Sequence, residues 1–193
     1  MSRSIWDWLV VTVLAGESIA VIGPRSSGKT TLYGYLLETN KTGETEPTLS
    51  RERTTWNRQH ELGLNIRKGI DVPGGAANYP DWEEQFRKSS KIFYLFDAYA
   101  LRTQTTYQET VRREGMKLNE WGSDRKHVMM LGTHADEDPQ ASELGAAAYQ
   151  DLIAELDVVV AFGTRAKVQG IAVGSMLSSD DAAALVRRAL RAP

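Results

Sequence analysis

Short apolar runs alternate along this chain with longer stretches in which apolar and polar residues mix. The apolar runs that predict buried strands are residues 19–22, 92–96, 128–131 and 171–173. The more polar segment 54–60 predicts an edge strand, which forms a hairpin with residues 62–66 and, after a polar break, with residues 69–71. Because strands alternate with helix-like stretches, we expect an α/β fold with about six strands in a mostly parallel sheet and helices on both of its faces.

Helix-like stretches separate these strands. They are residues 82–88, which follow the helix-opening pair Pro80-Asp81; the mostly polar residues 105–121; the alanine-rich residues 142–156, with Ser142 as N-cap; and residues 182–190, capped by residues 179–181. Residues 157–165 contain three consecutive valines, and two interpretations stay open for them. They either continue the preceding helix or form an extra strand, because periodicity does not separate these cases.

The first 17 residues form an apolar segment ahead of a single domain that we expect to span residues 18–193. Trp6, Trp8 and Leu9 belong to a predicted helix that is apolar nearly all round, which favours burial against the domain's own core. Docking to a partner subunit, in a hetero- or homodimer, and docking to a membrane surface are the alternatives. Asp7 is the only charge between residues 4 and 16, so attraction to anionic lipid has no cationic support and protein contact is favoured.

Composition narrows the classes of protein to consider. The chain has 193 residues, of which 41% are apolar, and this is enough for one substantial core. Its formal net charge is −2 and its basic residues are scattered, so we expect no nucleic-acid partner. There is no cysteine, which excludes disulfides and thiolate metal sites. Without a sufficiently long apolar span, a signal peptide or a lipidation motif, we expect a cytoplasmic protein with no stable membrane anchor.

Residues 23–30 read Gly-Pro-Arg-Ser-Ser-Gly-Lys-Thr and match the phosphate-loop pattern G-x-x-x-x-G-K-[ST]. The segment stands between a predicted strand and a predicted helix, the context that distinguishes a phosphate loop from a solvated Gly/Ser turn. In such a loop the backbone N–H groups surround an anion, Lys29 reaches the outer phosphates and the Thr30 hydroxyl binds Mg²⁺. The residues predicted to contact the nucleotide here are Gly23, Arg25, Ser26, Ser27, Gly28, Lys29, Thr30 and Thr31.

Two further elements follow the phosphate loop in the order found in one family. Thr48 lies 18 residues (48 − 30) after Thr30, and residues 71–75 read Asp-Val-Pro-Gly-Gly, similar to D-x-x-G-Q. With the phosphate loop they resemble the small Ras-like GTPases, within the translation-factor-related class of P-loop GTPases, whose fold has three α/β/α layers. The resemblance implies that Thr48 completes the Mg²⁺ shell, that Asp71 holds a Mg²⁺-bound water and that the Gly74 N–H bonds the γ-phosphate.

Alternatives remain for both elements. The competitors for the role of Thr48 are Thr45, Thr54 and Thr55, since a threonine in a polar loop is usually only a loop residue. A Pro-Gly-Gly turn at the end of a strand is common without any nucleotide.

The last two elements resemble the family's guanine-reading loops. Thr133-His134-Ala135-Asp136 is similar to N/T-K-x-D, with histidine in place of the usual lysine. The Asp136 carboxylate would accept hydrogen bonds from guanine N1–H and the exocyclic amine, a donor pair that adenine lacks. An acidic surface loop over residues 136–139 is the alternative. The Ser175-Met176 dipeptide is similar to the loop whose backbone N–H meets guanine O6, and it contributes the weakest signal.

The resemblance implies a GTP-binding protein and slow GTPase, with Mg²⁺ and GTP or GDP as cofactors and an effector or activating protein as partner. It would act as a switch through residues 41–58 and 72–83. Its catalytic residues would be Lys29, Thr48, Gly74 and Gly75, and hydrolysis would be slow because Gly75 replaces the water-orienting glutamine. The alternatives are a GTP-binding interaction module that has lost hydrolysis and, less favoured, a P-loop ATPase or kinase.

Overall fold

The computed structural model describes residues 18–36 and 73–191, together with four short strands between them. The N-terminal segment 1–17, Thr48 and most of the predicted switch region 41–58 lie outside the described residues. The strands are β1 (Ile19–Ile22), β2 (Glu52–Arg53), β3 (Asn57–Gln59), β4 (Leu64–Ile66), β5 (Ile70–Asp71), β6 (Lys91–Asp97), β7 (His127–Thr133) and β8 (Val168–Val173).

A four-stranded parallel sheet in the order β1-β6-β7-β8 forms the centre of the fold. The chain is therefore an α/β protein, as the alternation of strands and helices predicts. The prediction of about six strands in this sheet is not confirmed, because in the described part β3 pairs antiparallel with β4, and β2 with β5, as two separate ladders. The predicted hairpin is thus present, and antiparallel strands close together in sequence need only a short connection to pair.

Eight α-helices in the described part connect and cover the strands. They are α1 (Lys29–Leu36), α2 (Tyr79–Lys88), α3 (Ala98–Thr103), α4 (Thr105–Glu120), α5 (Pro139–Leu144), α6 (Ala146–Ala154), α7 (Asp157–Ala166) and α8 (Ser179–Arg191). The three valines of residues 158–160 lie in α7, so this stretch is helical and not a strand. None of the described helices is both long and apolar enough to cross a membrane.

Three predicted helix boundaries are wrong. Helix α2 begins at Tyr79, three residues before the expected residue 82, so Pro80 and Asp81 lie inside its first turn. The single helix expected over residues 142–156, with Ser142 as its N-cap, is two helices separated by Gly145 at φ 77°. The N-cap of α5 is instead Asp138, whose side chain accepts a hydrogen bond from the Gln140 N–H. The last helix begins three residues earlier than expected, where the Ser178 hydroxyl and the Asp181 carboxylate bond each other's backbone N–H groups in a capping box.

Alternate residues of the sheet face two separate apolar layers. Tyr94 and Phe96 of β6 point into a cluster with side chains of α2, α4, α6 and α7. Phe93 and Leu95 of the same strand point into the opposite cluster, with side chains of α1 and α8. The expectation of helices on both faces is therefore confirmed for the four-stranded sheet.

The carboxyl ends of the four parallel strands lie along one edge of the sheet. Gly23 follows β1, Asp97 ends β6, Thr133 ends β7 and Gly174 follows β8. Open α/β sheets bind ligands at this edge. The candidate residues that the sequence analysis assigned to the phosphate and the base therefore come together here.

Candidate functional site

The phosphate loop runs from the end of β1 directly into α1. Gly28 has φ +80°, a backbone conformation that favours glycine, and a Cβ built on it would require the flexible end of the Met176 side chain to move. Ser26 is exposed and has φ 61°, while Gly23 lies against the Leu95 carbonyl of β6. The first turn of α1 closes with a 2.9 Å hydrogen bond from the Leu32 N–H to the Gly28 carbonyl. The helix N-terminus therefore opens onto the loop, as an anion site requires.

Lys29 and Ser27 place buried polar groups at this helix start. The Lys29 ammonium is mostly buried and donates a 2.6 Å hydrogen bond to the Pro24 carbonyl within the loop. Ser27 is fully buried, and its hydroxyl has no hydrogen-bond partner among the described residues. Buried polar groups are normally hydrogen-bonded, so this hydroxyl in the predicted phosphate loop is available to form a hydrogen bond with a ligand.

Gly74 packs directly on the phosphate loop. A Cβ built on it would lie 2.6 Å from the Arg25 nitrogen and 2.7 Å from Lys29 Nζ, so no larger residue fits without displacement. Two side chains hold the neighbouring carbonyls: Trp82 Nε1 donates to Pro73 O at 3.0 Å and Asn78 Nδ2 donates to Gly74 O at 3.2 Å. The structure thus brings together Gly74 and Lys29, two residues that the sequence analysis assigned to the γ-phosphate.

Gly75 has a backbone conformation that side chains rarely adopt. Its φ is 103° and its ψ is 163°, while a Cβ built on it would meet no atom within 4 Å. This combination of angles is almost confined to glycine. A glutamine, the family's usual residue here, would therefore be excluded by backbone conformation and not by space.

Thr133 fastens the predicted base-reading loop to the phosphate loop. Its buried hydroxyl lies 3.1 Å from Phe96 O and 3.3 Å from Ser27 O. Both carbonyls only accept, so the single hydroxyl proton is used by one of them. His134 Nδ1 lies 2.7 Å from the same hydroxyl oxygen, so the imidazole ring and the two carbonyls share one hydroxyl group.

His134, at the family's lysine position, also faces the carboxylate at the end of β6. Its Nδ1 lies 3.9 Å from Asp97 Oδ2, and its backbone φ is 57°. Asp97 is held in turn as the N-cap of α3, where it accepts from the Ala100 N–H at 2.8 Å.

The segment after β8 packs between these two loops. Ala135 N–H donates to the Gly174 carbonyl at 3.3 Å, and Gly174 N–H donates to the Gly132 carbonyl at 2.8 Å. The Met176 side chain is buried against Gly28, whereas the Ser175 hydroxyl accepts from the Leu177 N–H. The predicted phosphate-binding and base-reading segments are therefore contiguous.

Asp136 and Asp138 have different environments although they are two residues apart. Asp136 is exposed on the short 3₁₀ helix Ala135–Glu137. Asp138 is fully buried and pairs with Arg102 through two hydrogen bonds of 2.6 and 2.8 Å, while Tyr149 donates a third of 2.9 Å. Residues 136–139 are therefore not simply an acidic surface loop, because Asp138 anchors the exposed Asp136 to the fold.

Electrostatics at Asp138 follow from these contacts. The hydrogen bonds from Arg102 lower the pKa of the Asp138 carboxyl most, with further contributions from Tyr149 and the Gln140 N–H. The same carboxylate raises the pKa of Arg102. Asp138 is thus held as an anion in a buried ion pair.

The three predicted Mg²⁺ ligands are only partly described. Thr30 is the second residue of α1 and is half-buried, Asp71 is described only as backbone at the end of β5, and Thr48 lies outside the described residues. Thr31, the next residue of α1, is buried. The described residues contain no cluster of three or more His, Cys, Asp or Glu side chains that would hold a metal. A phosphate-bound Mg²⁺ takes few protein ligands, and the hydroxyl of Thr30 is an oxygen donor of the kind it prefers.

Sequence reasoning missed several residues that shape this edge, namely Trp82, Asp97, Arg102, Asp138, Tyr149 and Arg188. Asp97 had a usable signal, because an aspartate between an apolar strand and a helix is a common N-cap. Arg188 of α8 donates to the Val173 carbonyl at 2.8 Å, a contact between residues 15 positions apart. Such long-range pairings have no local sequence signature.

Comparison with known proteins adds no family to this description. No protein-family model matches the sequence, and no curated protein matches it either. The likeness to the Ras-like GTPases consequently rests on the five short sequence elements and on the geometry at the sheet edge.

Proposed function

We propose that this chain is a GTP-binding protein that hydrolyses GTP slowly and acts as a nucleotide-dependent switch. The observation that carries the proposal is the meeting of three segments at the carboxyl edge of the parallel sheet. Gly74 lies against Lys29 of the phosphate loop, and Thr133 bonds the same loop through Ser27. These segments are far apart in sequence and meet only in the fold.

The phosphate end of the proposed site has the groups that a polyphosphate needs. The N-terminus of α1, the buried Lys29 ammonium and the unpaired Ser27 hydroxyl all belong to the same loop. A buried cation and a helix N-terminus both favour an anion. Mg²⁺, held by Thr30 and by Thr48 and Asp71, would supply charge neutralisation on the β- and γ-phosphates.

The base end of the proposed site favours guanine over adenine. Asp136 is an exposed carboxylate on a loop that Thr133 and Asp138 hold in place. A fixed carboxylate accepts two parallel donors well, and guanine presents such a pair. For this reason we propose GTP rather than ATP as the ligand. We likewise propose a nucleotide-dependent switch rather than a P-loop ATPase or kinase as the function.

A hydrolysis-deficient GTP-binding interaction module is the second candidate. Gly75 favours it, because the backbone at this position excludes the family's glutamine and glycine has no side chain to orient a water. In both cases the output is binding to an effector or activating protein through residues 41–58 and 72–83. We further propose a cytoplasmic location and leave open dimer formation through residues 1–17.

Titration calorimetry with GDP and ADP in Mg²⁺ tests the proposed base specificity. We expect GDP to bind at least about a hundredfold more tightly than ADP. Asp136→Ala should remove most of that difference, because without the carboxylate the site has no acceptor for the two guanine donors and no longer distinguishes guanine from adenine. Glu137→Ala is the matched control, since Glu137 is the neighbouring exposed carboxylate on the same 3₁₀ helix. Equal affinities of the unmodified protein for GDP and ADP would contradict the proposal.

Phosphate release in a single turnover separates the two candidates. We expect the purified protein to hydrolyse GTP more slowly than about one per minute, below the ordinary range of enzymes. Lys29 and the Gly74 N–H can stabilise charge on the phosphate, but the described residues place no glutamine beside it. Tight GTP binding without any release would favour the interaction module. Release at several per second would contradict the role assigned to Gly75.

A further inference from the structure

Trp82 connects the Gly74 segment to the apolar core. It is fully buried in α2, and its ring packs on Tyr79 with the ring centroids 5.4 Å apart. Its indole Nε1–H leaves this core and donates to the Pro73 carbonyl at 3.0 Å. A core tryptophan therefore bonds the peptide that joins Pro73 to Gly74.

That peptide also carries the Gly74 N–H. The described residues contain no cis peptide bond, and in a planar trans peptide the carbonyl and the N–H point in opposite directions. Holding the Pro73 carbonyl toward Trp82 consequently turns the Gly74 N–H away from the α2 core. Gly74 itself lies against Lys29 Nζ and the Arg25 backbone, on the phosphate-loop side.

We propose that Trp82 is a positioning residue that aims the Gly74 N–H at the terminal phosphate and so sets the preference of the site for GTP over GDP. The inference rests on the proposed function. A ligand with a γ-phosphate has a partner for the oriented N–H, and GDP does not. The same hydrogen bond couples binding of the γ-phosphate to the position of α2, whose first residues belong to the second predicted switch segment.

Asn78 does not substitute for Trp82 in this role. Its side chain holds the Gly74 carbonyl, which belongs to the next peptide, the one that carries the Gly75 N–H. It also lies at the end of a short 3₁₀ helix and is partly exposed. Trp82 is the side chain whose hydrogen bond holds the carbonyl of the peptide that carries the Gly74 N–H.

The test compares affinities for GDP and for a non-hydrolysable GTP analogue in Mg²⁺, measured on the full chain by titration calorimetry. Trp82→Phe removes the indole N–H and keeps an aromatic ring in the core. One net hydrogen bond corresponds to roughly a three- to tenfold change in binding, so we expect the analogue-to-GDP affinity ratio to fall by about that factor. The GDP affinity should change by less than about twofold.

Trp121→Phe is the matched control. Trp121 contacts the same aromatic cluster, with its ring centroid 5.7 Å from that of Phe86 and 6.3 Å from that of Tyr79. Because no hydrogen bond joins it to residues 73–74, we expect its loss to leave the affinity ratio unchanged. A fall in the ratio in both variants would assign the effect to packing and overturn the inference.

A second measurement keeps the inference testable if Trp82→Phe does not fold. In the unmodified protein, the Trp82 indole proton can be identified by its proximity to Pro73, whose carbonyl it bonds, and the Trp121 indole proton by its absence from the spectrum of Trp121→Phe. The Trp82 resonance should shift more than that of Trp121 when the analogue replaces GDP. Equal shifts for the two indoles would overturn the inference, as would a folded Trp82→Phe variant with an unchanged ratio or with both affinities lowered together. If the unmodified protein binds neither guanine nucleotide, the proposed function fails first.

Discussion

Asp138 shows how one buried side chain can hold a loop in place beside Asp136, the residue proposed to read the base. It accepts two hydrogen bonds from Arg102 and one from Tyr149, and it caps α5. Removing one partner of a buried ion pair leaves the other without compensation. The position of Asp136 therefore depends on a residue that contacts no ligand.

The variant Asp138→Ala should lower the free energy of unfolding by about 3 kcal/mol, somewhat less than for a fully buried pair because Arg102 keeps partial exposure. Urea denaturation measures the change, and Glu137→Ala, at an exposed position, should stay within about 0.5 kcal/mol of the unmodified protein. A double-mutant cycle with Arg102→Ala isolates the pair. An Asp138→Ala variant as stable as the unmodified protein would show that the ion pair is dispensable.

At the residue scale the sequence predicts the location of the candidate residues better than it predicts the side chains that support them. Thr133 and Gly28 belong to contiguous sequence patterns, and the structure places both at the carboxyl end of the sheet. Asp138 stands in an acidic tetrapeptide that looks solvated, since its partner Arg102 is 36 residues away. Burial of a charge depends on such a distant partner, and local composition does not reveal it.

At the element scale, α4 contains a buried carboxyl where a polar surface helix is expected. Glu114 is fully buried, its Oε2 accepts a 2.7 Å hydrogen bond from Tyr94, and its Oε1 has no partner among the described residues. Burial raises the pKa of Glu114 to about 7, partly offset by the Tyr94 hydrogen bond and by the charges of Lys29 and Arg113. Tyr79 and Tyr107 face the same carboxyl, and the pKa values of both are raised.

The pKa of Glu114 makes the stability of the protein depend on pH. An acid whose pKa is higher in the folded state contributes its full stability below the unfolded pKa, here near 4.5, and loses it as the pH rises toward 7. Glu114→Gln cannot ionise, so its stability relative to the unmodified protein should grow between pH 4.5 and 7, by on the order of 3 kcal/mol, and then stay constant.

Thermal or urea unfolding at pH 5, 6, 7 and 8 measures this difference. Glu109→Gln, at an exposed position of the same helix, is the control and should show a much smaller change across the series. A Glu114→Gln variant whose advantage does not change with pH would show that the carboxyl stays ionised in the fold.

Helix boundaries show where element-level prediction stops. The alanine-rich stretch favours one long helix by propensity, but Gly145, at a φ of 77° that glycine adopts readily, separates α5 from α6. The valines of α7 are equally compatible with strand and helix. Tertiary packing against α4, where Gly115 lies close to the Phe162 ring, settles the choice.

At the scale of the whole molecule, the strongly apolar strands predicted the architecture well. β1, β6 and β7 are buried on both faces, so their apolar runs are continuous and easily recognised. For the polar strands between residues 52 and 71, the sequence predicted the hairpin correctly but did not reveal whether the strands join the main sheet. Pairing within a sheet depends on distant partner strands, which a local pattern does not contain. The loops after β1, β7 and β8 meet at one edge because these strands are parallel. The Gly74 segment follows β5, which lies outside that sheet, so its contact with Lys29 does not follow from the strand order.

The hydroxyl of Thr133 has a thermodynamic consequence for any ligand at this edge. Because the hydroxyl contacts the carbonyls of both Phe96 and Ser27, it holds the loop after β7 against residues 23–30 before any ligand binds. The conformational entropy of fixing the spacing between these two segments is therefore lost once, when the chain folds, and does not have to be lost again at each binding event.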